Sequence, residues 1–188
     1  MLYIGLGVLA ALAVAVIFIF NRLIRLRAMV RAGWSDIDVQ LKRRYDLLPN
    51  LVETVKGYKI YEQDVLTRIV ELRGKAATET HPEQRGEIEG GLAKTVSRLF
   101  ALAENYPDLK ASKVYLDLQE KLTEIEDHLQ YARRYYNGTV RNLNIYVQSF
   151  PSNLIAGAFG FRRAEYFQLD SPDEAVAQGV DLSTGQKD

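Results

Sequence analysis

Apolar residues recur every three or four positions along most of this chain, and after residue 21 they never alternate as a half-buried strand would. Trp34, Ile37, Leu41, Tyr45, Leu48, Val52 and Val55 form one helical stripe, resumed by Val65 or Leu66, Ile69, Leu72 and Ala76. A shorter stripe runs Ile88, Leu92, Thr95 or Val96, Leu99 and Ala103, weakened by Gly86, Gly90 and Gly91. The longest runs Leu118, Leu122, Ile125, Leu129, Ala132, Tyr136, Val140, Leu143, Val147 and Phe150. Its spacing is heptad-like, with one four-residue stutter near Tyr136. The pattern predicts an all-α fold: an elongated, antiparallel, up-and-down bundle of three to four long helices, four-helix-bundle-like. The last helix, from 109 to about 149, would measure roughly 60 Å.

Helix signals punctuate the pattern. Ser35 with Asp38 resembles a capping box, with Trp34 stapled onto Val39, and Thr80 with Glu83 is a second such signal. Asn105, Tyr106 and Pro107 close the middle helix and open the next. Ser171 to Glu174 would start a short terminal helix before a polar, flexible tail. Pro49 interrupts RRYDLLPNLVETVKGY, yet the stripe crosses it in phase. That continuity favours a bend over a reversal; a reversal would make Asp46 the cap of a new helix.

Residues 2–20 carry no charge and, at 1.5 Å per residue, span about 28 Å as a helix, close to a bilayer's apolar thickness. Arg22, Arg25, Arg27 and Arg31 follow as a basic membrane flank. A cleaved signal peptide would want its basic residues before the apolar run, so a retained transmembrane helix is expected. The positive-inside rule then puts the N-terminus outside and the bundle in the cytoplasm. The expected organisation is anchor and flank at 1–26, bundle at 27–150, an aromatic contact segment at 151–170, and a short helix and tail at 171–188.

Composition narrows the chemistry. Twenty-four basic and 24 acidic residues cancel, which argues against nucleic acid as a partner. Residues 21–78 are nonetheless basic, with 12 cations to 7 anions, beside the apolar run. No cysteine and only two histidines, His81 and His128, leave little for metal or acid–base work. Glu124 and His128 are four apart and occur once, unlike the paired Glu-x-x-His of di-iron bundles. Gly157 to Gly160 is too short for a phosphate loop and reads as close packing or a turn. No catalytic, cofactor-binding or metal residues are expected, and the chain is not expected to be an enzyme.

Charges near the stripes are the candidate structural contacts. Arg44, Lys59 and Glu62 fall near the first stripe; Arg43 and Glu53 share its helix, and Arg73 and Arg133 flank others. Either they form an ionic site in the bundle interior or, as favoured here, interhelical salt bridges that fix register and partner choice. In FPSNLIAGAFGFRRAEYF, the residues Phe150, Leu154, Ile155, Phe159, Phe161, Arg162, Arg163, Tyr166 and Phe167 suggest a membrane or subunit contact. A cap folded back on the bundle end is the third reading of that segment.

Three stretches, AGWSDIDVQLKRRYDLLPNLVETVKGY, ALAENYPDLKAS and LQEKLTEIEDHLQYARRYYNGTVRNLNIYVQSFPSNLIAGAFGF, closely resemble the LemA family over roughly residues 2–168. The resemblance implies a bacterial single-pass membrane protein with an antiparallel helical bundle and no assigned enzymatic activity. The family includes a branch associated with magnetosome membranes. Its recurring positions match Arg43, Arg44, Asp46, Pro49, Asn50, Glu53, Tyr106, Pro107, Arg133, Tyr136, Asn137, Pro151 and Phe161. Where the family commonly has Asn-Arg after Thr-Glu, this chain has Ile125, Glu126 and Asp127. The expected function is a scaffold in the bacterial inner membrane that self-associates into a homo-oligomer. The lipid bilayer is its second partner, and the alternative is an adaptor for another membrane protein, a protease or signalling protein.

Overall fold

The computed structural model describes residues 1–58 and 62–168. Lys59 and the expected helix and tail at 171–188 lie outside the described residues. Among those described there are six helices and no strand: α1 (Leu2–Gly57), α2 (Gln63–Thr78), α3 (Pro82–Ala103), α4 (Pro107–Lys110), α5 (Lys113–Gln148) and α6 (Ser152–Ala158).

Helix α1 is a single rod of 56 residues, about 84 Å long. Its first third is apolar and long enough to cross a membrane, and residues 2–18 are exposed throughout. The remainder joins the bundle without a break. The expected cap at Ser35 is therefore absent, because residues on both sides are already helical. Asp38 instead accepts a hydrogen bond from Arg85, and Trp34 packs on Tyr136 and Phe167 rather than Val39. The expected cap at Thr80 gives way to His81, with Pro82 opening α3.

Pro49 lies inside α1 and the chain does not reverse there. A proline has no N–H for the carbonyl four residues back, here that of Tyr45. The vacancy is filled from outside the helix: Arg73 Nε on α2 donates to the Tyr45 carbonyl at 2.8 Å.

Four contacts give the topology. Gly33 faces Tyr136 and Arg44 reaches Glu126, so α1 and α5 run antiparallel. Arg85 pairs with Asp38 and Glu89 with Arg44, so α3 runs parallel to α1. Helix α2 returns between them, completing an up-and-down four-helix arrangement. Its core follows the sequence stripes from Ile37 to Val55, Val65 to Ala76, Leu92 to Ala103 and Leu118 to Val140. The four-residue α4 makes α5 start at Lys113 instead of 109, capped by Ser112. The stripe of α5 also ends early, since Phe150 lies beyond the helix and is 80% exposed.

Beyond α5 the chain folds back. Ser152 Oγ donates to the carbonyls of Tyr146 and Ser149, seating α6 against the end of α5. Gly160, at φ +69°, closes α6: Phe161 N–H bonds to the Ala156 carbonyl and Gly160 N–H to that of Gly157. An L side chain rarely adopts that backbone, which explains the second glycine of the sequence pair.

Candidate functional site

Two polar constructions stand out in the described structure. The first is an ionic cluster inside the bundle. Arg44, only 4% exposed, sits 3.3 Å from Glu89 and 3.4 Å from Glu126. Glu89 is fully buried and accepts a further hydrogen bond from the Tyr45 hydroxyl. Arg85 pairs with Asp38 at 2.9 Å and lies over the Trp34 ring. Burial pushes the Glu89 carboxyl above its ordinary value, and Arg44 opposes that shift. Burial, reinforced by Glu89, also raises the Tyr45 hydroxyl.

The cluster is positioned by heptad phase. Arg85 and Glu89 continue the buried series Leu92, Val96, Leu99 and Ala103 backwards by one heptad. That extension was readable in the sequence, but starting the stripe at Ile88, which is half-buried, hid it. Of the expected ionic contacts, only Arg44 enters the cluster. Arg73 serves the Tyr45 backbone, Glu53 is exposed, and Glu62 immediately precedes α2. Arg133 is half-buried and makes no ion pair among the described residues. Arg43 lines a groove of about 320 Å³ with Asp46, Lys121, Glu124 and His128. Glu126, at the departure from the family pattern, carries a contact to Arg44.

The second construction is a strap, residues 161–168, laid extended along α5. Asn144 holds Ala164 by both ends of its amide, at 2.9 and 2.8 Å, and Asn137 holds Phe167 likewise, at 2.9 and 3.0 Å. The spacings match: seven residues of helix rise about 10.5 Å, and three extended residues cover about 10 Å. Tyr136 adds a hydrogen bond to the Glu165 carbonyl, and burial with the Glu165 charge pushes its hydroxyl up to about 12.

The strap corrects part of the expected contact surface. Phe167 is fully buried against Trp34, and Phe161 is 7% exposed beneath Arg27, so neither faces lipid or a neighbour. Tyr166 and Ile155 are half-buried against the chain's own core. Phe150, Leu154, Phe159, Arg162 and Arg163 stay exposed, as do Arg22, Arg25, Arg27 and Arg31. Among the described residues no group of three acidic, histidine or cysteine side chains is placed to hold a metal ion.

The family model for the LemA family matches residues 33–181, which takes in the bundle and the strap. The chain belongs to the LemA family. A LemA protein of Metamycoplasma hominis is 28% identical over 167 residues, covering 88% of this chain and 74% of that protein. The magnetosome protein MamQ 2 of Paramagnetospirillum magneticum is 27% identical over 175 residues, and MamQ of Magnetospirillum gryphiswaldense 24% over 193. These cover 79% and 89% of this chain, and 64% and 71% of the relatives. The chain thus spans less than two thirds of MamQ 2. Within this LemA-family protein the apolar run of α1 is exposed from residue 2 to 18 and is continuous as one helix with the bundle, and the protein is membrane-associated.

Proposed function

We propose that this LemA-family protein is a non-enzymatic scaffold, anchored in the bacterial inner membrane by α1, that self-associates with its bundle in the cytoplasm. The observation that carries the reading is a stripe on the outer face of α5. Tyr131, Tyr135 and Ile145 lie on one side of that helix, 66%, 48% and 55% exposed. Copies anchored in one bilayer are parallel and stand at one height, so the stripe of one meets the stripe of the next. Tethering also raises effective concentration, so a weak contact suffices. The arginine flank supports the cytoplasmic orientation.

The test is the particle mass of the full-length protein in lipid discs, for the parent chain and for Tyr131→Glu with Ile145→Gln. A defined multimer that falls to single copies in the variant supports the scaffold. Single copies of the parent overturn self-association and point to capture of another membrane protein. Point substitutions are the appropriate probe, because deleting 150–167 would remove Phe161 and Phe167 from the core.

A further inference from the structure

We infer that the foot of the molecule, residues 150–161, lies in the headgroup layer of the membrane that holds α1. Phe150, Leu154 and Phe159 enter the lipid there, and the surrounding arginines bind anionic phosphate headgroups. The inference rests on the anchoring of α1 proposed above and is independent of self-association.

Height along α1 is the first argument. The Phe159 ring packs on Phe20, the last residue of the apolar run, with centroids 4.8 Å apart. Ala156 and Ile155 join Leu23, Ile19 and Phe20 in one apolar cluster. The foot is therefore level with the end of the membrane-spanning stretch. From Phe20 to Arg27 the helix rises about 10 Å, and a headgroup layer is roughly 5–8 Å thick. Arg22, Arg25 and Arg27 fall in or just above that layer. Arg27 lies 5.4 Å from the centre of the Phe161 ring, which brings the adjoining Arg162 close to the same level, with Arg163 one residue further along the strap beside Glu83.

Exposure and charge point the same way. Phe150, Leu154 and Phe159 are 80%, 62% and 56% exposed, and Phe159 meets the apolar run of α1 at Phe20. The membrane-proximal end also has a distinctive charge composition. Residues 2–35 and 128–164 contain nine arginines and not one lysine, aspartate or glutamate. In a chain with equal numbers of cations and anions, that segregation leaves the membrane-proximal end basic, up to the groove where Arg163 meets Glu83 and Glu165. Guanidinium groups bind phosphate through two parallel hydrogen bonds, which favours arginine over lysine there. The bidentate strap and the closed turn at Gly160 hold the foot against the bundle, so its apolar residues are presented without a folding cost at the membrane.

The chain has no cysteine, so a single introduced one carries a spin label cleanly. Full-length Leu154→Cys, reconstituted in vesicles of phosphatidylcholine and phosphatidylglycerol, is compared with Val14→Cys in the anchor and Val70→Cys on α2. The readout is relaxation by oxygen, which partitions into lipid, against relaxation by a water-soluble nickel chelate. The expected result places position 154 between the other two, open to oxygen and shielded from the chelate. A label at 154 as chelate-accessible as that at 70, with position 14 in lipid, overturns the foot and leaves the anchor standing. Chelate access at 14 overturns both. Protection of 154 from both reagents means protein cover by a second copy and overturns the lipid assignment. For the headgroups, spin-labelled phosphatidylglycerol should associate with the unlabelled protein in preference to phosphatidylcholine. That preference should fall to parity in Arg162→Gln/Arg163→Gln and in high salt; no preference in the parent overturns this half.

Discussion

Arg73 on α2 donates through Nε to the Tyr45 carbonyl on α1 at 2.8 Å, and Pro49 is the residue that leaves that carbonyl without its helical partner. A missing backbone hydrogen bond in one helix is thus the docking point of the next. The arrangement predicts coupling between two positions 24 residues apart in sequence. Arg73→Met should cost about 1.5–3 kcal/mol in the parent, the usual worth of a hydrogen bond from a charged donor. In Pro49→Ala the new N–H takes the Tyr45 carbonyl and the same change should cost about 1 kcal/mol less. Equilibrium unfolding of the four proteins of the cycle measures this; equal costs in both backgrounds would refute the coupling.

The asparagine pair gives a second prediction. Asn144→Leu and Asn137→Leu preserve the size of the side chain but remove both hydrogen bonds to the strap. Each should cost about 1–3 kcal/mol of strap docking. Amide exchange should accelerate at residues 162–168 while the α2–α3 hairpin keeps its protection. Uniform acceleration across the bundle would show that the strap does not open by itself.

Glu89 sets a pH dependence. Its carboxyl is raised above the ordinary value of about 4.3 by burial, with Arg44 opposing, so the folded chain holds that proton more tightly than the unfolded one. The contribution is full below about pH 4.3, is lost as pH rises to the raised value, and is constant beyond it. Glu89→Gln should abolish this fall, and denaturation at a series of pH values would reveal it as diverging profiles. Glu89→Leu leaves the buried Arg44 with only the half-exposed Glu126 and should cost about 3 kcal/mol or more.

Two glycines should respond with opposite signs. A methyl group at Gly33 would meet the Tyr136 Cα at 3.2 Å, where α1 and α5 approach closely. Gly33→Ala should therefore destabilise by about 1–3 kcal/mol. Gly74, on the exposed side of α2, has open space around it. Gly74→Ala should stabilise by about 0.5–1 kcal/mol. Thermal melting separates the two; a shift of the same sign in both would contradict the close approach.

The sequence by itself determined the helices and their inward faces. Ile37, Leu41, Leu48, Leu122, Leu129 and Val140 are buried because a period of three and four admits one apolar stripe per helix. It also determined the passage through Pro49, since the stripe kept its phase, and the apolar length of the first third of α1. Tertiary structure alone decided how polar groups were used. Arg44 reads as a charge near a stripe, and only the parallel approach of α3 supplies Glu89. Asn137 and Asn144 look like surface residues of a helix until the strap offers an amide and a carbonyl to each. Phe167 reads as an exposed aromatic until those same bonds lay it over Trp34. Apolar burial follows local periodicity, whereas a polar group's role depends on a partner that arrives from elsewhere in the chain, and periodicity holds no record of that partner.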